Sequence, residues 1–322
     1  MGKRTILFIV KLGLSAVLIW YLASGIDLAG AWARVRQMAP DMLLLATALL
    51  LLQGALGAVR WWLTLRAVGG VLPWPRILGF YFIGLFFNQV LPSSVGGDPV
   101  RMYRAYRAGL PLDKAINGVM LERVSLVLAL VLMVTALQPA LAARLGGHAV
   151  LWVFPLLSLA GVAGVVVMML LDRMPPALRR WRLVRGLGHL AADGRRVFLR
   201  PGNAAAVLLS GALSHANLSI AVWVMARGMD IAVSPMDCLV LVPPVILATT
   251  LPISIAGWGV REGAMVTALG FVGVPAEGAL VLSVLLGLLA VATSLPGGVV
   301  FLLTGERTRA EEVERLMQRE RP

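Results

Sequence analysis

Two short stretches of this sequence share one pattern. "LPSSVGGDPVR" runs from Leu91 to Arg101 and "LPISIAGWGVR" from Leu251 to Arg261; both read L-P-x-S-[VI]-x-G-x-x-V-R. Each combines residue types that suit an oxyanion. Pro92 and Pro252 disfavour a continuing helix, and Gly97 and Gly257 allow tight backbone turns. A helix broken at such a point leaves free N–H groups and a positive dipole end, which favour anions. Ser94 and Ser254 add hydroxyls, while Arg101 and Arg261 add permanent, fork-shaped donors that match phosphate oxygens. The two phrases read as a phosphate cradle written twice. The plainer alternative is a packing turn whose arginine snorkels to a headgroup, but an arginine at helix centre costs about 2.5–3.5 kcal/mol on insertion scales, so such residues usually serve a site.

Carboxylates accompany each arginine. Asp98 precedes Arg101 by three positions, Glu262 follows Arg261, and "GVMLERVSL" places Glu122 and Arg123 inside an apolar run. Neighbours on a helix diverge by about 100°, so Glu122 is free to pair with Arg101 or another cation while Arg123 points elsewhere. These carboxylates suit charge balance, gating or proton coupling. Arg123 joins the arginines as a candidate binding residue. Asn88 and Gln89 are expected to satisfy broken backbone, and His215 to hydrogen-bond between helices with Asn217 nearby. "RWW" at Arg60, Trp61 and Trp62 reads as an anchor in the interfacial aromatic belt. No HExxH, G-x-S-x-G or P-loop signature occurs, and no catalytic residue, metal site or cofactor is assigned. The single cysteine, Cys238, excludes an internal disulfide and a multi-thiolate metal site.

The elements that would carry these residues are hydrophobic helices. The 322 residues are 59% hydrophobic and only 14% charged, with a mean hydropathy of +0.86, far from the roughly 25% charge of soluble chains. The chain is expected to be all-α and polytopic, with apolar spans near 5–24, 40–59, 115–137, 149–171, 203–225 and 277–304, each about long enough for a hydrocarbon core of ~30 Å. The first span reads as a retained anchor rather than a cleaved signal peptide. The net charge of +13 is explained by membrane topology rather than nucleic acid. The arginine-rich stretch 172–202, Lys3 and Arg4, and the tail all belong on the cytoplasmic side by the positive-inside rule. Parity then requires 77–114 and 236–275 to be re-entrant hairpins, entering from opposite faces. The basic returning arm of the first is expected at the interface, anchored by Tyr103 and Tyr106. The expectation is about six full transmembrane helices plus two re-entrant hairpins in an inverted repeat of 40–137 and 203–304. They form a single membrane domain over 1–305, with a charged cytoplasmic tail at 306–322 and both termini cytoplasmic.

"NQVLPSSVGGDPVRMYRAYRAG", "GVMLERV" and "LPISIAGWGVREG" together resemble the membrane domain of lysylphosphatidylglycerol synthases, over nearly the whole chain. In those bifunctional proteins a cytosolic domain charges phosphatidylglycerol with an amino acid and the membrane part moves the product across the bilayer. No synthetase-like domain is expected here, so the resemblance implies translocation. Relatives linked to hopanoid metabolism and archaeal polyprenyl-linked glycosylation leave the lipid open. Arg101, Glu122, Arg123, Arg261 and Glu262 match the family's substrate-facing region as motif positions. The resulting expectation is a flippase-like transporter of a lipid with an anionic, phosphate-bearing headgroup, in the cell membrane, with membrane lipids and lipid-modifying enzymes as partners. Two rivals are a membrane-embedded transferase using a polyprenyl-phosphate donor, with Glu122 or Asp98 as base, and a non-catalytic scaffold for lipid enzymes.

Overall fold

The computed structural model describes residues 36, 38–90, 96–145, 153–173, 182–249 and 257–319. Among the described residues the secondary structure is helical, with no strand. In chain order the helices are α1 (Pro40–Ala67), α2 (Trp74–Val90), α3 (Gly97–Arg107), α4 (Leu112–Ala136), α5 (Gln138–Leu145), α6 (Val153–Met169), α7 (Arg182–Phe198), α8 (Pro201–Gly228), α9 (Pro235–Thr249), α10 (Val260–Gly270) and α11 (Ala276–Arg319). Proline at the first position starts α1 and α8, where its missing N–H costs nothing. Among the described residues, four helices are long and apolar enough to cross a membrane: α1, α4, α8 and the Ala276–Thr304 part of α11. The expected span at 5–24 lies outside the described residues.

Burial is distributed as a bilayer requires. Leu44, Leu159, Leu209 and Leu302 are exposed on the outside of the bundle, whereas Arg60, Arg101, Glu122 and Glu262 are buried within it. Lipid tails cover apolar side chains as well as protein does, so the charged groups are the ones that must be enclosed.

The second half of the fold repeats the element order of the first. Helices α1 to α4 have 28, 17, 11 and 25 residues. Helices α8, α9 and α10 have 28, 15 and 11, followed by the 29-residue apolar part of α11. The two leading helices pack against each other and run antiparallel. Gly228, at the end of α8, abuts Met38 and Met42 at the start of α1. Midway, Asn217 Nδ2 donates to Gln53 Oε1 and to the Leu49 carbonyl, each at 2.9 Å. Arg60 Nη1, further along α1, donates to Ser214 Oγ at 2.9 Å. Helix α2 packs on α11.

Helix α7 docks across one end of the bundle. Its Ala191 and Val197 are buried, and Val197 clusters with Val68, Leu121 and Val207. Its buried Asp193 accepts from Lys114 Nζ at 2.7 and 2.9 Å, from Asn117 Nδ2 at 2.8 Å and from Arg196 Nη1 at 2.9 Å. A second clip joins α7 to the residues after α6, where Arg195 Nη1 donates to Asp172 Oδ1 at 2.9 Å and Nη2 pairs with Oδ2. That hydrogen bonding holds the Asp172 carboxyl below its ordinary value. A carboxyl depressed by folding stabilises the docked geometry above its unfolded pKa of about 4, and loses that contribution as pH falls through the folded value. Hydrogen-exchange protection of 182–198 should therefore decline at acid pH in the wild type. In Asp172→Asn it should already be lower at neutral pH and show a smaller acid decline. Equal protection in both proteins across that range would show that the clip does not hold α7.

Candidate functional site

The charged residues singled out by the repeated phrase form two buried clusters, one in each half. The first is built by α1, α3, α4 and α8. Glu122 lies ten residues into α4, about 15 Å along its axis at 1.5 Å per residue, near half the thickness of a hydrocarbon core. Its Oε1 accepts from Arg60 Nε at 2.8 Å and Arg60 Nη2 at 2.6 Å, and its Oε2 accepts from Arg101 Nη2 at 2.6 Å. Arg101 Nε also donates to Asp98 Oδ1 at 3.0 Å. Asp98 in turn accepts from Arg123, Nε to Oδ2 at 2.8 Å and Nη2 to Oδ1 at 3.0 Å. The result is a chain of alternating charge: Arg60, Glu122, Arg101, Asp98, Arg123.

Backbone and aromatic packing fix this chain. Gly97 starts α3 against α2 so closely that a Cβ there would lie 1.8 Å from the Gly84 carbonyl oxygen. Asn88 Oδ1 accepts from the Gly97 N–H at 2.8 Å, satisfying one of the free donors at the start of α3. The expected role of Asn88 is thus met. The Arg101 guanidinium carbon lies 5.2 Å from the Trp61 ring centroid and 5.1 Å from that of Tyr81, within cation–π range. Among the described residues, Arg101 Nη1 and Trp61 Nε1 are buried without a hydrogen-bond acceptor. His215 Nε2 lies 3.2 Å from the Leu126 carbonyl, bridging α8 to α4 as expected.

The second cluster is smaller. Gly257 and Gly259 adopt φ of +80° and +85°, a region nearly closed to other residues, and α10 starts directly after them. Glu262 Oε2 accepts from the Gly259 N–H at 2.5 Å, the carboxylate half of a capping box. Its Oε1 accepts from Arg261 Nη2 at 2.7 Å and Nε at 3.2 Å, and Ser283 Oγ of α11 lies 3.2 Å from both Arg261 Nε and Glu262 Oε1. The Arg261 guanidinium stacks on Trp258 at 4.8 Å. Gly287 leaves the room: a Cβ there would lie 2.3 Å from Arg261 Nη2.

The sequence-derived set is therefore brought together in two groups, Asp98, Arg101, Glu122 and Arg123 in one, Arg261 and Glu262 in the other. Gly97 and Gly257 each sit at the edge of their group. Among the described residues no hydrogen bond or ion pair joins the two. Ser94 and Ser254 lie outside the described residues. Arg60 corrects the sequence reading. Instead of anchoring at an interface, Arg60 and Trp61 are buried inside α1 and only Trp62 is half-exposed. A signal for this exists: no glycine or proline interrupts the chain from Arg60 to Val68, so the helix runs past the expected end at 59 to Ala67. Ser214, Tyr81 and Ser283, which also touch the arginines, offer no such signal, because each is recognised only through a distant partner.

Removing one partner of a buried ion pair strands the other at a cost of about 3–5 kcal/mol. Glu122→Leu and Arg60→Met should each destabilise the purified protein by about that much. The double variant should be distinctly more stable than the sum of the two losses, measured by unfolding in detergent. Strict additivity would mean that the two side chains do not depend on each other.

The comparisons with known proteins bear on the whole chain. No curated protein matches the sequence. The family model described as the lysylphosphatidylglycerol synthase TM region matches residues 8–297, a range that contains both arginine clusters and, but for the end of α11, the four helices long enough to span, and the chain belongs to that family.

Proposed function

We propose that this protein is a flippase-like transporter that carries the anionic, phosphate-bearing headgroup of a lipid between leaflets while the tails remain in the bilayer. One observation carries the reading: a largely enclosed chain of three arginines and two carboxylates, on the long helices α1 and α4 and the short α3 packed against them, with a buried guanidinium nitrogen that has no acceptor among the described residues. Its formal charge is positive, and its surroundings are apolar, the setting in which a charge–charge contact is strongest. Membership of a membrane-lipid family agrees with this role.

The two groups of helices act as an inverted repeat, with α2–α3 and α9–α10 as hairpins entering from opposite faces and both termini in the cytoplasm of a cell membrane. The repeated element lengths and the antiparallel packing of α1 on α8 support that arrangement. Rocking of one repeat against the other would expose the headgroup alternately to each leaflet. Arg101, Arg123 and Arg261, with Ser94, Ser254 and the backbone at Gly97 and Gly257, form the headgroup path; Glu122, Glu262 and Asp98 balance and gate the arginines. A transferase reading finds less support, since Glu122 and Asp98 each accept hydrogen bonds from two arginines and are poorly placed to act as bases.

Reconstitution in sealed liposomes with headgroup-labelled lipids tests the proposal. Wild-type protein should move an anionic lipid between leaflets faster than protein-free vesicles, and Arg101→Ala should reduce that rate at least about tenfold, given that a charge-assisted hydrogen bond is worth ~1.5–3 kcal/mol. Failure to move any anionic lipid, polyprenyl phosphates included, would remove the transport reading. Consumption of a lipid donor in detergent, without a sealed compartment, would favour the transferase.

A further inference from the structure

The arginines of the first cluster are unequally committed. Arg60 is saturated, with Nε and Nη2 on Glu122 and Nη1 on Ser214. Arg101 gives Nη2 to Glu122 and Nε to Asp98, while Nη1 has no acceptor. Arg123 gives Nε and Nη2 to Asp98 and keeps a third of its side chain exposed. The carboxylates differ in the same way. Glu122 is fully enclosed (0% exposed), and Asp98 lies at the accessible edge beside Arg123 (9% and 33% exposed). Asp98 is thus a two-oxygen anion held between two arginines, one of which is a third exposed and one of which has a donor to spare.

On the transport reading given above, we propose that the Asp98 carboxylate occupies the seat of the ligand's phosphate and is displaced by it. A phosphate monoester offers three terminal oxygens, one more than the carboxylate that bridges Arg101 and Arg123. That extra acceptor is what Arg101 Nη1 lacks. Glu122 stays in place, because leaving would strand two buried arginines at once. The released Asp98 side chain stays in the first turn of α3, where the positive end of the helix dipole favours it. Three arginines against Glu122 and Asp98 leave one positive charge, which a monoanionic phosphate group cancels. The second repeat has no equivalent seat: Arg261 is neutralised by its own neighbour Glu262 and braced by Ser283, so it holds α10 against α11 and serves the headgroup path as a passing contact, not as the phosphate seat. The phosphate is recognised at one arginine cluster, not shared symmetrically between two.

The test is a binding titration on the purified full-length chain in detergent, read as a thermal shift. The probes are dihexanoyl phosphatidic acid and inorganic phosphate, the same group tethered and free, with dihexanoyl phosphatidylcholine as a control without net charge. Asp98→Asn should bind the lipid phosphate about tenfold more tightly than wild type, Asp98→Glu about as wild type does, and Arg123→Gln more weakly. A response to the lipid alone assigns the seat to a headgroup, and an equal response to inorganic phosphate assigns it to the phosphate group itself; both support the seat. Should Asp98→Asn aggregate on its own, added lipid phosphate must restore a monodisperse, cooperatively unfolding protein. Saturable binding by wild type with no tighter binding by Asp98→Asn, or no rescue, overturns this inference and leaves the transport reading standing. No saturable binding by wild type or any variant removes both.

Discussion

The structure depends on keeping Glu122 ionised inside an apolar bundle. An isolated carboxylate at that depth is too costly to persist, and so is an isolated guanidinium. Arg60 and Arg101 resolve the problem together by taking one oxygen each. The consequences reach across four helices. Arg60 ties α1 to α4 and, through Ser214, to α8. Arg101 brings the start of α3 to the same point, which in turn requires the close approach of Gly97 to Gly84. Packing in a bilayer has no hydrophobic driving force between helices, so a buried polar network of this kind is what gives the helices a unique register.

The two halves use one pattern for two purposes. In the first, the arginine at the end of the phrase finds its main partner on another helix, at Glu122, and remains linked through Asp98 to a third charged residue. In the second, the arginine turns to the adjacent Glu262, which also caps α10 through Gly259. The two phrases therefore share their proline, glycine and arginine, while the electrostatics around the two arginines differ. A self-contained pair leaves no surplus charge. An open chain ending at a half-exposed Arg123 does. That asymmetry is why the first cluster, not the pair of them, is the centre of the functional account.

Much of this was legible in the sequence. Long apolar runs specify helices because a helix satisfies all its backbone groups within one segment, whereas a barrel would need short alternating strands, and the repeated phrase marks matching positions because proline and glycine act locally. The short i to i+3 spacing of Asp98 and Arg101 announced a contact that the structure makes, and Glu122, free to pair with Arg101 or another cation, pairs with Arg101 and with Arg60. What escaped was the set of partners joined only by folding. Arg60 lies 62 positions from Glu122, and beside two tryptophans it has the composition of an interfacial anchor. The Arg123–Asp98 pair escaped for the same reason. Among the described residues no hydrogen bond links Arg261 to Arg101; the adjacent Glu262 satisfies Arg261 locally. Adjacent side chains on a regular helix diverge. In the first turn of α10, with Ser283 bridging, they meet.

The most direct measurement is an experimental structure of the protein in a bilayer disc rich in anionic lipid. The account predicts a lipid phosphate within about 3 Å of Arg101 Nη1, also touching Arg123, with Asp98 turned away and the Arg60–Glu122–Arg101 contacts unchanged. Bound anionic lipid found only at the periphery, with Asp98 still bridging Arg101 and Arg123, would contradict it.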